Sequence, residues 1–162
     1  MHFKIKYLAL TIASLVIVGC STVPLEPNNI SESAKMFNQP PEGEAGIYVY
    51  RDSMFGAAIK KDIWIDNKCL GESAPNVFFY QDVKGNITHT ILTESEFSPN
   101  QLTIDTKAGK NYFVRQYIKM GVFVGGANLE LINEDEAKKA ILELNMAKKG
   151  ICEKQTPILP SE

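Results

Sequence analysis

Apolar residues change their spacing several times along this chain. From Tyr7 to Val18 they run nearly unbroken, interrupted only by Thr11 and Ser14. Between Ser21 and Glu44 they become sparse, and Pro24, Pro27, Pro40 and Pro41 appear among Asn and Ser residues. Such a stretch cannot build a long helix or a central strand, so an extended tether is predicted, with room for a short helical turn around Ser33–Phe37.

From residue 45 the dominant period is two. Gly46–Arg51 opens with alternating apolar and aromatic positions. Ile63–Asp66 and Cys69–Glu72 flank Asn67-Lys68, a connection short enough for a tight hairpin. Further strands are predicted at Val77–Gln81, Asn86–Thr93, Gln101–Thr106 and Tyr112–Lys119, then at Val122–Val124 and Leu129–Ile132. On the strand that follows the Ala108–Asn111 turn, Tyr112, Val114 and Ile118 share one face. This succession of short strands predicts a mainly β domain, an antiparallel β-sandwich of about seven to nine strands. The period then lengthens. Ala137, Ala140, Ile141, Leu144 and Ala147 fall at helical spacing, with Asn133 and Glu136 set as an N-cap and its N3 partner. Lys148 and Lys149 suit the negative end of that helix, and Gly150 reads as its stop. One C-terminal amphipathic helix closing a sheet face or edge is therefore expected, followed by a polar tail over residues 153–162. The folded domain is placed at residues 45–152.

Charge changes the picture at the N-terminus. The whole chain has 162 residues and a formal net charge of −2, with 44% hydrophobic residues. This balance fits a folded chain and disfavours both a disordered tail and a nucleic-acid binder. The first nineteen residues, however, carry Lys4 and Lys6 and no acid; without them 15 basic residues face 19 acidic ones. A basic start, a twelve-residue apolar stretch too short to span a bilayer and then Ile17-Val18-Gly19-Cys20 resemble a bacterial lipoprotein signal. Residues 1–19 would be removed and residues 20–44 would form the lipidated tether. Small Gly19 admits the peptidase, and the Cys20 thiol carries the diacylglycerol. Several acyl chains on one residue anchor stably where one alone is marginal. Ser21 resembles the sorting pattern for the outer membrane. The expected location is the inner leaflet of that membrane, facing the periplasm.

Two cysteines remain, Cys69 and Cys152. In an oxidising envelope they can form one internal disulfide, the favoured pairing, or stand as two thiols too far apart to bond. His89 is the only histidine beyond the signal. It alternates with Ile87 and Ile91 on a predicted strand, which suits a packed structural residue better than a catalytic one. No CxxC pair, second histidine or Gly-x-Ser-x-Gly elbow accompanies it, so neither a metal nor a nucleophilic site is indicated. No motif selects a pair of carboxylates for hydrolysis. Gly121–Gly126 is glycine-rich but lacks the Lys-Ser/Thr ending of a phosphate loop. It reads as a turn or bulge with an apolar tip, or as a loop that contacts a partner or membrane. Tyr48, Tyr50, Trp64, Phe78, Phe79 and Tyr80 suit a core better than a saccharide platform.

Several segments, taken in order, resemble the bacterial "domain of unknown function 2846" family. They are Pro41–Arg51, the Ile63–Gly71 strand-turn-strand, Gly85 before the strand bearing His89, and Ala108-Gly109-Lys110-Asn111-Tyr112-Phe113-Val114-Arg115. The resemblance spans roughly residues 41–150. Cys69 and Lys84-Gly85-Asn86 depart from the pattern and leave the local hairpin geometry open. The resemblance implies an envelope lipoprotein with a PEGA-like β-sandwich, and it brings no catalytic residues.

These features suggest a lipid-anchored binding or scaffold module, with no cofactor and no catalysis expected. Its partners would be membrane lipid through Cys20 and an envelope protein or peptidoglycan. A periplasmic inhibitor or protective lipoprotein is the alternative, and a carboxylate-dependent hydrolase is a further one. Cys20→Ser is expected to shift the protein out of the membrane pellet on cell fractionation; retention in the pellet would refute the anchor.

Overall fold

The computed structural model describes residues 22–157, so Gly19 and Cys20 lie outside the described residues. In chain order the elements are α1 (Asn28–Ala34), β1 (Glu44–Arg51), β2 (Lys61–Ile65), β3 (Lys68–Ser73), β4 (Val77–Lys84) and β5 (Thr88–Thr93). They continue with β6 (Asn100–Asp105), β7 (Asn111–Lys119), β8 (Gly126–Ile132), α2 (Glu134–Leu142) and β9 (Asn145–Met146). The strands form two sheets, β8-β7-β1-β4-β9 and β3-β2-β5-β6.

The predicted mainly β sandwich is present, with one adjustment to its strand directions. β1 runs parallel to β7, and β4 runs parallel to β9; the other pairings are antiparallel. After β4 the chain enters the second sheet with β5 and β6, then returns beside β1 in the same direction. Period-two patterning carries no information about that choice, because a strand alternates its faces in either direction.

Strand β1 is buried along seven of its eight residues. Ile47 and Val49 point between the sheets, where they meet Ile63, Ile65, Phe79, Ile91 and Val114. Tyr48 and Tyr50 point to the opposite face and join Phe78, Phe113, Ala137 and Ile141 beneath the helices. The aromatic residues of β1 and β4 are thus core, and Tyr48 packs against Phe113 and Tyr80 at centroid distances of 5.1 and 4.6 Å. Full burial of each such side chain contributes about 2 kcal/mol. Between the sheets lies a buried polar bridge. The Gln116 amide donates to Thr93 Oγ1 at 2.7 Å and accepts from the Ser73 hydroxyl, joining β7 to β5 and β3.

Several predicted boundaries move, each for a tertiary reason. The β2–β3 hairpin turns at Asp66-Asn67, one residue earlier than predicted; both have positive φ, as a two-residue type I′ turn requires. Val122–Val124 forms no strand. Helix α2 starts as predicted, with Asn133 accepting from the Glu136 N–H at 3.0 Å, but it stops at Leu142. Asn145 and Met146 instead add β9 to the open edge of β4, and Lys148 and Lys149 fall beyond the helix. The 20–44 tether is corrected over its described part. Leu25 bridges Ala147, α1 occupies Asn28–Ala34, and Tyr48 Oη donates to Ala34 O at 2.8 Å. Folding this segment back covers the outer aromatic face that α2 alone leaves open. The predicted polar tail also begins docked. Asp62 accepts from the N–H groups of Glu153 and Lys154, and the Trp64 indole donates to Lys154 O at 3.0 Å.

Cys69 and Cys152 are bonded, with Cα atoms 6.1 Å apart and a sequence separation of 83. The bond ties β3 to the segment that runs along its edge, where Glu72 N–H donates to Ile151 O at 2.7 Å. Replacing both cysteines by Ala releases a closure of that length, which the chain-entropy model values at about 4–5 kcal/mol. Urea unfolding should show the double variant's midpoint falling to match that of the reduced wild type.

Candidate functional site

His89, singled out in the sequence, is buried in the structure. It is 3% exposed, its Nδ1 sits 2.6 Å from an Asp66 carboxylate oxygen, and its Nε2 sits 2.8 Å from Lys84 O. Asp66 also accepts from the Thr90 N–H at 3.0 Å. Both ring nitrogens are therefore engaged in tying the β2–β3 turn to β5 and to the end of β4. The groove beside it, about 450 Å³, has Ile65, Leu70 and Val83 on its walls and Lys68, Asp82 and Lys84 at its rim. Nothing there pairs a nucleophile with a base. Among the described residues no three His, Cys, Asp or Glu side chains gather as a metal site.

The opposite end of the sandwich differs. There β1 and β7 finish, and three loops converge: 52–60, 94–99 and 120–125. The third follows Lys119 and carries Met120, Val122, Phe123 and Val124. Met120 and Phe123 are 85% and 83% exposed, and Phe97 on the neighbouring loop is 77% exposed. Phe55 completes the apex from the first loop. The rings of Phe97 and Phe123 meet edge to face at 6.5 Å.

Such side chains ordinarily collapse inward. Here the backbone beneath them is held by two charged side chains. Glu96 accepts from the N–H groups of Val122 at 2.7 Å, Val124 at 3.1 Å and Phe123. Desolvation opposes ionisation of its carboxyl, but these three donors outweigh it and hold the pKa below the usual carboxylate value. Gly121 permits the approach, because a Cβ there would stand 1.7 Å from Val124 O and 2.5 Å from Glu96 Oε2. Arg51 holds the first loop from below. Its guanidinium, on the inward face of β1, donates to Ile59 O at 2.7 Å, Gly56 O at 2.8 Å and Phe55 O at 3.2 Å. Burial lowers its pKa to about 10, and its Nε has no partner among the described residues. An anion thus gathers amides and a cation gathers carbonyls, so the loops' polar backbone is satisfied from within and their apolar side chains face out.

The 120–124 loop is a ridge between two grooves. One, about 380 Å³, lies beside Phe97, Met120 and Val122; the other, about 290 Å³, lies beside Phe55, Phe123 and Val124. Their ionisable lining residues are Glu96 and Lys119. This arrangement suits the exclusion of water against another apolar surface better than chemistry on a substrate.

Residues 41–127 match the family model described as "Protein of unknown function (DUF2846)". The chain belongs to this family. A relative from Haemophilus influenzae, described as an uncharacterized protein, is 56% identical over 134 residues, covering 83% of this chain and 79% of the relative. The DUF2846 match ends at Ala127, just past the apex loop, so it contains all three apical loops but neither α2 nor Cys152.

The sequence brought 121–126 to notice and missed Glu96 and Arg51. Arg51 shares the inward parity of Ile47 and Val49, a signal that its side chain enters the core. Glu96 carried none, because its contacts lie 26 to 28 residues away. Glu96→Ala is expected to remove the hydrogen-exchange protection of the Val122, Phe123 and Val124 amides while core amides keep theirs, read by NMR. In the wild type, the lowered carboxyl pKa makes that protection complete above the ordinary carboxylate range. It should be lost as pH falls through the lowered value.

Proposed function

We propose that this DUF2846 protein is a lipid-anchored binding or scaffold module of the bacterial cell envelope. Cys20 holds it to the inner leaflet of the outer membrane, and its apical loops engage a protein partner in the periplasm. The basic n-region, short apolar stretch and Val18-Gly19-Cys20 ending support the anchor. The apex carries the binding half of the reading. Glu96 and Arg51 fix loops whose apolar side chains stay exposed, so the ordering cost of docking is met during folding. Because the sites described contain no paired nucleophile and base, binding accounts for them better than catalysis. The same protruding ridge also suits a periplasmic inhibitor that inserts Phe123 into the cleft of one secreted enzyme.

The test combines lipid labelling with photocrosslinking in cells. The wild type should incorporate radiolabelled palmitate and Cys20→Ser should not. A photoreactive phenylalanine analogue at position 123 should give a discrete protein adduct in the membrane fraction, and the same probe at exposed Lys107, at the far end, should not. Unlabelled wild type would refute the anchor. Equal adducts at both positions, or none at either, would refute the docking surface.

A further inference from the structure

We propose that the apex is a self-association surface, in which two copies anchored in one leaflet dock apex to apex about a two-fold axis along the membrane normal. This rests on reading the apex as a docking surface and Cys20 as the anchor, and it names the partner as a second copy of this chain.

The position of the chain's exit favours an occupant other than the anchoring bilayer. The segment holding Leu25 pairs antiparallel with residues 146–148, as Glu26 N–H donates to Met146 O and Lys148 N–H to Pro24 O. Since β9 runs from the apical end toward the other, the chain traced back from Leu25 to Thr22 heads away from the apex. It does so on the β9 edge of its sheet, whereas the apical ridge joins β7 to β8 on the opposite edge. Leu25 lies level with Phe79, two residues from the apical end of β4, and Thr22 lies three residues farther from the apex. Exit and ridge are therefore separated mainly by the width of the five-stranded sheet, about 19 Å from strand spacing. Two residues link Thr22 back to Cys20, a reach of about 7 Å at full extension. With Cys20 in the bilayer, the anchor lies on the edge of the sheet opposite to the one that carries Phe123.

A second copy meets the geometric and chemical demands. A two-fold axis normal to the membrane brings two upper corners together while both exits stay on the membrane side. Counting large side chains at roughly 150–200 Å² each, the exposed parts of Phe55, Phe97, Met120, Val122, Phe123 and Val124 amount to about 800 Å². That exceeds the largest apolar patch of a typical monomer and matches one side of a standard-size interface. A ridge flanked by grooves is self-complementary, since rotation sets each Phe123 ridge against the other copy's groove. Few charges need accommodating: Glu96 is spent on three amides, and the one other ionisable lining residue, Lys119, has a long stem that can carry its ammonium outward to water.

The test uses the full chain in isolated membranes, with Val122→Cys as the reporter and Lys107→Cys as the far-end control. The Cys69–Cys152 bond leaves the introduced thiol to react with a short bismaleimide, and any reaction at Cys20 would appear equally in the control. A covalent dimer is expected from Val122→Cys at least tenfold above Lys107→Cys. Adding Phe123→Ser should return it to the control level at unchanged protein abundance. Equal yields from the two positions, or a yield unaffected by Phe123→Ser, would overturn the proposal. So would an adduct to a different protein at position 122, which would leave the docking surface intact and replace the partner. Quenching of a fluorophore on Val122→Cys by brominated phospholipids would assign the apex to lipid and also overturn it. Failure of palmitate labelling with a persisting apical dimer would remove the anchor and not the self-association.

Discussion

Most of this architecture follows from one requirement, that strand β1 be covered on both faces. Its inward residues Ile47 and Val49 demand a second sheet, and its outward residues Tyr48 and Tyr50 demand a further layer. Helix α2 supplies part of that layer. The rest comes from α1 and Phe37, whose ring lies 5.4 Å from Tyr48 and 6.0 Å from Phe113. Each of these side chains is worth on the order of 2 kcal/mol when buried, enough together to fold back a proline-rich segment that would be extended in isolation. Residues 22–44 are thereby folded back, and Leu25 is fixed beside the β9 edge of the sheet.

The same requirement governs the edges. β4 would present an open edge, and β9 closes it; the segment around Leu25 then pairs alongside residues 146–148. On the second sheet the residues around Ile151 cover β3, and the disulfide holds them there. Exposed edges invite association along the strands. With these two edges covered, β8 and β6 remain as the outer strands of their sheets, and the apolar side chains left outside gather at the apex.

Polar groups inside the fold mark where geometry must be specified and not merely filled. Gln116 links the two sheets, while Arg51 and Glu96 do for the apical loops what a regular element does for its own backbone. Gln116 and Arg51 are costly to bury without partners, and Glu96 at the surface gathers three amides, so each fixes one arrangement of the chain around it. His89 plays the same part at the other end through Asp66 and Lys84.

Much of the fold was legible in the sequence, since strand alternation, the Asn133 cap and the inward aromatics are local patterns read within a few residues. The Cys20 signature is equally local. What stayed illegible joins distant residues: the parallel return of β7 beside β1, the conversion of a predicted helical end into β9, and the fold-back of residues 22–44. For the candidate site, glycine content pointed to 121–126, but Glu96 and Arg51 became visible only once three loops met. The sequence by itself determined the strands, the start of α2 and the family. The tertiary structure decided which edges pair, how residues 22–44 fold back and which apolar residues remain outside. The physical reason is that those outcomes depend on competition for buried area among segments far apart in the chain, which no local spacing encodes.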